Sequence, residues 1–183
     1  FVLDIFGLIK KHTPPYLWLS ATIALEHFTA LLADSVLTTP ELFDGAEDHY
    51  ANIWRWHAFE ETEHKAVAFD VWNTVMGHGL YAYTVRSVGQ IGATILFWSL
   101  IIPVFLNIVK GEGKLTNRKA WKAAYKYSFG EVGALRKQLG NYFDYFRPSF
   151  HPWDHDNRQS MLAMQDLIYQ LVDETQAAKQ LKS

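Results

Sequence analysis

Positions 50, 54, 57, 61, 64, 68, 71 and 75 advance by alternating steps of four and three, so they form one face of a helix. Their occupants are Tyr50, Trp54, His57, Glu61, His64, Ala68, Val71 and Val75. Both ends of this face read as core, and its middle holds His57, Glu61 and His64. A buried ionised glutamate is costly unless it is paired, hydrogen-bonded or bound to metal. Glu61 and His64 have Glu-x-x-His spacing, which points a carboxylate and an imidazole at one place. That unit is used in di-iron and di-manganese carboxylate bundles. An isolated Glu-x-x-His is more often part of a solvated charged helix, with His57 and His64 paired to Glu60 or Glu61. Here the pair lies among Trp54, Trp56 and Phe59, which favours metal ligation.

A second candidate ligand lies upstream, in Ser20-Ala21-Thr22-Ile23-Ala24-Leu25-Glu26-His27-Phe28-Thr29-Ala30. Glu26 is the only acid between Asp4 and Asp34. Thr22, Thr29 and Ala33 lie on its stripe and leave room for an ion or a substrate. The plainer alternative leaves Glu26 exposed, or paired to Lys11 or His27.

The elements that must position these residues are helical almost throughout. No segment alternates with period two, and no Asn-Gly or Asp-Gly hairpin turn occurs. Phe1–Lys11 reads as the end of a helix. Pro14-Pro15 opens the next, running to about Val36, since proline suits a first turn. Thr39-Pro40-Glu41 signals another start with Thr39 as N-cap. A long helix is expected from after Gly45 to about Met76, stopping at Gly77-His78-Gly79. The short connection makes the two ligand helices antiparallel neighbours. Glu26 lies about ten residues before it and Glu61 about fourteen after it, so at ~1.5 Å per residue their levels differ by roughly 6 Å. Glu26, Glu61 and His64 are therefore able to meet.

Ser87–Val109 carries no charged side chain and is flanked by Arg86 and Lys110. It is long enough to span a bilayer, although Gln90, Asn107 and Pro103 weaken that reading. The bland reading is a buried helix or a hairpin broken at Pro103; the others are a membrane span or membrane-surface contact. Helices follow over about Arg118–Ser128, Val132–Tyr145 and Asp156–Gln180. His151, Asp154, His155 and Asp156 offer another His/Asp cluster. A turn made rigid by Pro148 and Pro152, with Asp154 or Asp156 capping the last helix, accounts for it better than a metal. Tyr142, Tyr145, Phe146, Phe150 and Trp153 read as core or interface rather than a substrate box.

Composition sets the outer bounds. The 183 residues suffice for one domain, 1–183, with a sizeable core. Within it, 14–76 is the ligand helix pair, 87–109 the apolar helix or hairpin and 118–183 the C-terminal helices. The net charge of −2 gives no nucleic-acid footprint. With no Cys, thiolate zinc sites, iron–sulfur clusters and a Cys nucleophile are excluded. The absence fits a reducing compartment, and a cytoplasmic location, associated with the inner membrane if 87–109 engages lipid, is the expectation. The opening FVLDIFGLIKKHTPP has its charges after the apolar run, the wrong order for a signal peptide.

Leu25-Glu26-His27-Phe28-Thr29-Ala30, Trp56-His57 with Glu60-Glu61-Thr62-Glu63-His64-Lys65, and Phe150-His151-Pro152-Trp153-Asp154 together resemble the bacterial family labelled "predicted metal-dependent hydrolase". The resemblance covers nearly the whole chain. It implies a metal enzyme and an all-α, ferritin-like helical bundle. Members of that family carry a further N-terminal region with an additional Glu helix and a Gln-Glu-x-x-His helix, which this sequence does not show. The resemblance thus implies an incomplete bundle with half the usual ligands, whose other half comes from a longer parent protein or from a homodimer.

The donor types favour iron or manganese, with zinc also compatible. For a hydrolase, Glu60 or Glu63 is the candidate general base, and His57 orients a ligand from behind. The runner-up is a di-iron oxidase or oxygenase acting on a small apolar substrate. A third reading is a non-catalytic, membrane-associated helical module.

Overall fold

The computed structural model describes residues 12–180, with side chains described as far as residue 169. The helix end expected over Phe1–Lys11 lies outside the described residues. Among the described residues all regular structure is helical, so the fold is all-α.

The central element is α1, Pro15–Thr38. Proline stands in its first turn, where the missing N–H has no intrahelical acceptor to lose. Ser20, Ile23, Ala24, His27, Phe28, Leu31 and Ser35 bury one face, and Ala33 is buried on the other side. The chain then passes through a 3-10 turn, Pro40–Phe43, into α2, Asp48–His64. Thr39 precedes that turn without a side-chain capping bond, so its expected N-cap role is not fulfilled. The remaining helices are α3 (Val67–Met76), α4 (Leu80–Gly111), α5 (Arg118–Phe129), α6 (Leu139–Asp144) and α7 (Arg158–Gln180). Helices α2, α3 and α4 all pack on α1.

Two expected helices are divided. The single helix foreseen from Gly45 to Met76 breaks at Lys65–Ala66, giving α2 and α3. At the break Lys65 turns inward: its Nζ donates to the His155 carbonyl at 2.7 Å and to Asn157 Oδ1 at 2.8 Å. The ammonium also lies 4.1 Å from the Trp153 ring centroid. The helix foreseen over Val132–Tyr145 is interrupted at Gly133, whose φ of 66° lies outside the helical region, and becomes a 3-10 turn followed by α6. Gly77, at φ 69°, ends α3 where the Gly-His-Gly run marks the stop.

The core gathers Ile23 of α1, Ala68, Phe69 and Trp72 of α3, Ala82 of α4, and Tyr145 and Phe150 of the aromatic turn. Helices α1 and α4 cross closely at Gly89, where any Cβ would collide with Ser20 Oγ. Ser20 donates to the Val85 carbonyl at 3.1 Å in the same crossing.

The expected apolar face of α2 is displaced by one position. Its buried residues are Ala51, Ala58 and Thr62, which let α2 approach α1 closely. Tyr50, Trp54, Val71 and Val75 are exposed, Trp54 at 55 %. Ala68 is the only member of the sequence-derived stripe that is buried.

Neither a buried helix nor a hairpin describes 87–109. Helix α4 runs unbroken through Pro103, which removes one intrahelical bond without ending the helix. Its packed residues are Ala82, Arg86, Gln90 and Ala93, all in its first half. Every residue from Trp98 to Ile108 is exposed, because this 32-residue helix outruns the 24-residue α1 beside it. By length and composition, among the described residues two helices, α1 and α4, are apolar enough to cross a membrane, and α4 is the one with little of that stretch packed inside. A largely apolar exposed surface of this kind, broken by Ser99 and Asn107, is what an apolar environment would cover. The purified protein is expected to need detergent or to float with liposomes, and Ile101→Glu combined with Ile108→Glu should release it. A wild-type sample that is monodisperse without detergent and ignores liposomes would overturn this expectation.

Candidate metal centre

Glu26 projects from α1 towards the junction of α2 and α3. Breaking the chain at Lys65–Ala66 starts a new helix at Val67, and the first amides of a helix have no intrahelical acceptor. One of these, the Ala68 N–H, acts on the Glu26 carboxylate and favours its charged form. Burial outweighs it, and the Glu61 charge works in the same direction as burial. The Glu26 pKa is therefore raised, with His64 a smaller opposing influence. Glu26 Oε2 is buried without a hydrogen-bond partner among the described residues.

Glu61 and His64 both stand on α2. Glu61 is 30 % exposed, with its Oε1 3.6 Å from His57 Nε2 one turn back. His57 in turn meets Trp54 edge-on, with ring centroids 6.0 Å apart. Glu26, Glu61 and His64 thus share one neighbourhood. Yet among the described residues no group of three or more His, Asp or Glu side chains is close enough to hold an ion. Glu60 is half-buried and Glu63 exposed. Among the described residues neither makes a hydrogen bond or ion pair to Glu26, Glu61 or His64.

An apolar groove of about 300 Å³ opens beside these groups, lined by Leu32, Ala33, Leu42, Trp54, His57 and Glu61 among others. A second apolar cavity of about 230 Å³ adjoins it, reaching Phe97 and Trp98 of α4. Leu32, Ala134 and Leu135 line both.

The His/Asp cluster at the aromatic turn is spent on structure. The His151 ring accepts from the Trp153 N–H, and Asp154 accepts from the His151 N–H, forming a capping box. His151 Nε2 lies 3.0 Å from Asp70 Oδ1, and His155 Nε2 lies 2.9 Å from Asp144 Oδ2. Asp156 accepts from the Arg158 N–H at the start of α7.

Sequence reasoning missed the buried polar groups behind Glu26. His27 is 5 % exposed and packs against Tyr145, with ring centroids 4.8 Å apart, and Phe150, at 5.4 Å. Asp34 accepts from Gln138 Nε2 at 2.8 Å and from Asn157 Nδ2 at 3.4 Å. The Lys65 pKa is lowered to about 8, mainly by burial. One available signal was the adjacency of Glu26 and His27: neighbours on a helix cannot share a face, so a helix that presents one to the site turns the other elsewhere.

The model of a family described as "Predicted metal-dependent hydrolase" matches residues 2–156. The chain belongs to that family. Neither the curated proteins nor the solved structures yield a match. For a member of a metal-dependent family, the donor chemistry around Glu26 fits a divalent cation: two carboxylates, one imidazole and a buried oxygen without a partner. The described residues supply only part of a coordination sphere.

The buried histidine yields a stability test. Burial, with His155 and Arg86 adding to it, lowers His27 from its ordinary 6.5 to about 4, while the backbone of Tyr142 and Asn141 pulls weakly the other way. Between these values the unfolded chain binds a proton that the folded chain does not, so stability falls as pH drops from 6.5 towards 4. The full window is worth about 3 kcal/mol at ~1.4 kcal/mol per pKa unit. In urea denaturation the loss between pH 7 and pH 4.5 should be about 2–3 kcal/mol smaller in His27→Gln than in wild type. Equal losses in the two proteins would show that His27 is not the titrating group.

Proposed function

We propose that this chain is a metal-dependent hydrolase whose ion is held by Glu26, Glu61 and His64, and whose substrate is small and largely apolar. The observation that carries the proposal is the Glu26 carboxylate: one oxygen is buried and unpartnered, and Glu61 and His64 act on it from α2. Burial drives such a group towards protonation, and a cation restores its charged form. Iron or manganese suits the donors best, and zinc is compatible.

A bound divalent cation would supply an activated water and a Lewis acid for a carbonyl or phosphoryl oxygen. The chain's own residues do the rest. His57, whose Nε2 lies 3.6 Å from Glu61 Oε1, would orient that carboxylate from one turn away. Glu60 or Glu63 takes the proton from the attacking water. The groove carrying His57 and Glu61 receives the apolar part of the substrate, and the adjoining cavity leads it towards the exposed surface of α4. Membrane association through 87–109 would deliver such a substrate from lipid.

A ferritin-like di-metal site takes a Glu from each of two helices and a Glu-x-x-His from two others. Glu26 with Glu61 and His64 amounts to one of each, so the remaining donors come from outside this set. Tyr50, Ile53 and Trp54 form an exposed apolar face around His57 and Glu61. A second copy packed here across a two-fold axis would bring the same residues to both sides. The apolar groove also suits a di-iron oxidase, the second reading; iron content with substrate-dependent oxygen uptake would favour it over hydrolysis.

Elemental analysis tests the assignment. Glu61→Ala and His64→Ala should each lose most of the bound metal, and Glu47→Ala, on the exposed start of α2, should retain it. A monomeric chain should bind at most one ion. Equal metal content in all these proteins, or two ions in one monomeric chain, would overturn the assignment.

A further inference from the structure

Arg86 is 3 % exposed, yet among the described residues no carboxylate lies within ion-pair distance of it. One guanidinium nitrogen, Nη2, donates to the Arg147 carbonyl at 2.8 Å. The cation is otherwise surrounded by rings, with its Cζ 5.0 Å from the Tyr145 centroid, 5.3 Å from Phe69, 5.7 Å from Tyr83 and 5.9 Å from Phe150. Ring faces offset part of the cost of burying a charge, but they accept no conventional hydrogen bonds. A guanidinium carries five N–H donors, and a buried cation without an anion is expensive.

Arg86 also lines a cavity of about 140 Å³ between α3, α4 and the turn at 148–151. Asn73, His78 and Ser149 line the same space, and their side chains make no hydrogen bond among the described residues. Phe69 and Trp72 form its aromatic wall. His151 reaches this cavity too, but both its ring nitrogens are already engaged, with Asp70 and with the Trp153 N–H. The cavity therefore combines one buried, uncompensated cation, free neutral hydrogen-bonding side chains and an apolar wall. None of its lining residues is Glu26, Glu61 or His64.

We propose that this cavity is a binding site for a small oxyanion, a carboxylate or a phosphate group, with Arg86 as its counter-charge. A planar guanidinium matches the paired oxygens of either group, and a desolvated pair is stronger than one in water. Asn73 and Ser149 complete the donor set, and the aromatic wall accepts an apolar substituent on the anion.

The test is calorimetric titration of the full chain, washed with chelator so that no anion is held through a metal. Acetate, benzoate and inorganic phosphate are the probes. Saturable binding of at least one is expected. Binding of acetate or benzoate alone marks a carboxylate site, and binding of phosphate alone marks a phosphate site. Arg86→Met should weaken binding at least about tenfold. Ser149→Phe, which blocks the cavity from an exposed position and leaves Arg86 in place, should do the same. If Arg86→Met does not fold, Ser149→Phe decides the matter. No saturable binding of any probe, or wild-type affinity in Ser149→Phe, would overturn the proposal. Metal content plays no part in this readout, so the outcome is independent of the Glu26 assignment.

Discussion

The constraint that organises this molecule is the placing of ionisable groups on a helix packed on several sides. Helix α1 carries Glu26, His27 and Asp34 into contact with the rest of the fold. Each must be paired, neutralised or solvated, because an isolated buried charge is not tolerated. His27 solves the problem by losing its proton, with its pKa down to about 4. Asp34 accepts from Gln138 and Asn157 and acts electrostatically on Lys65. Glu26 is left partly satisfied, with the Ala68 amide acting on it and, among the described residues, no partner on Oε2, just as His27 has none on Nε2. The unpartnered carboxylate oxygen of Glu26 is the observation on which the proposed metal site rests.

The break between α2 and α3 belongs to the same solution. An unbroken helix would commit the Ala68 N–H to a carbonyl one turn earlier and take it from Glu26. Lys65, at the break, reaches the 155–157 segment and ties the aromatic turn to the ligand helices. The turn in turn supplies Tyr145 and Phe150 to the core and the Arg147 carbonyl to Arg86. Local backbone geometry, core packing and the electrostatics of the site are therefore set by one interruption two residues long.

Among the described residues the aromatic face of α2 and the outer half of α4 are largely exposed, although Phe105 of α4 meets the Trp121 ring. Scattered exposed apolar residues are ordinary, whereas contiguous ones mark contact surfaces. Their placement is informative. The α2 face surrounds His57 and Glu61, and the α4 surface lies at the far end of the adjoining apolar cavities. Both therefore connect with the candidate centre rather than lying at random on the surface.

Much of this was legible in residue type and spacing. The Glu-x-x-His spacing, the solitary Glu26 and the short connection placed Glu26 near the α2 pair on paper, because helical periodicity and rise per residue are local properties. In the structure Glu61 and His64 act on Glu26, but no group close enough to hold an ion forms among the described residues. The proline entry to α1, the Gly-His-Gly stop and the uncharged stretch of α4 are likewise set by neighbours in sequence. What escaped were the features decided by distant contacts. The buried stripe of α2 is Ala51, Ala58 and Thr62 rather than its aromatic neighbour, since the approach of two helices selects small side chains and pattern alone rewards large ones. The helix break depends on where Lys65 can place its ammonium, some ninety residues away in sequence. Arg86 is flanked by an apolar run and reads as a boundary charge; only the fold encloses it in four rings beside a cavity. Sequence thus determined which groups could do chemistry, and tertiary structure decided which were desolvated, because burial is a sum over the whole chain and not a property of any segment.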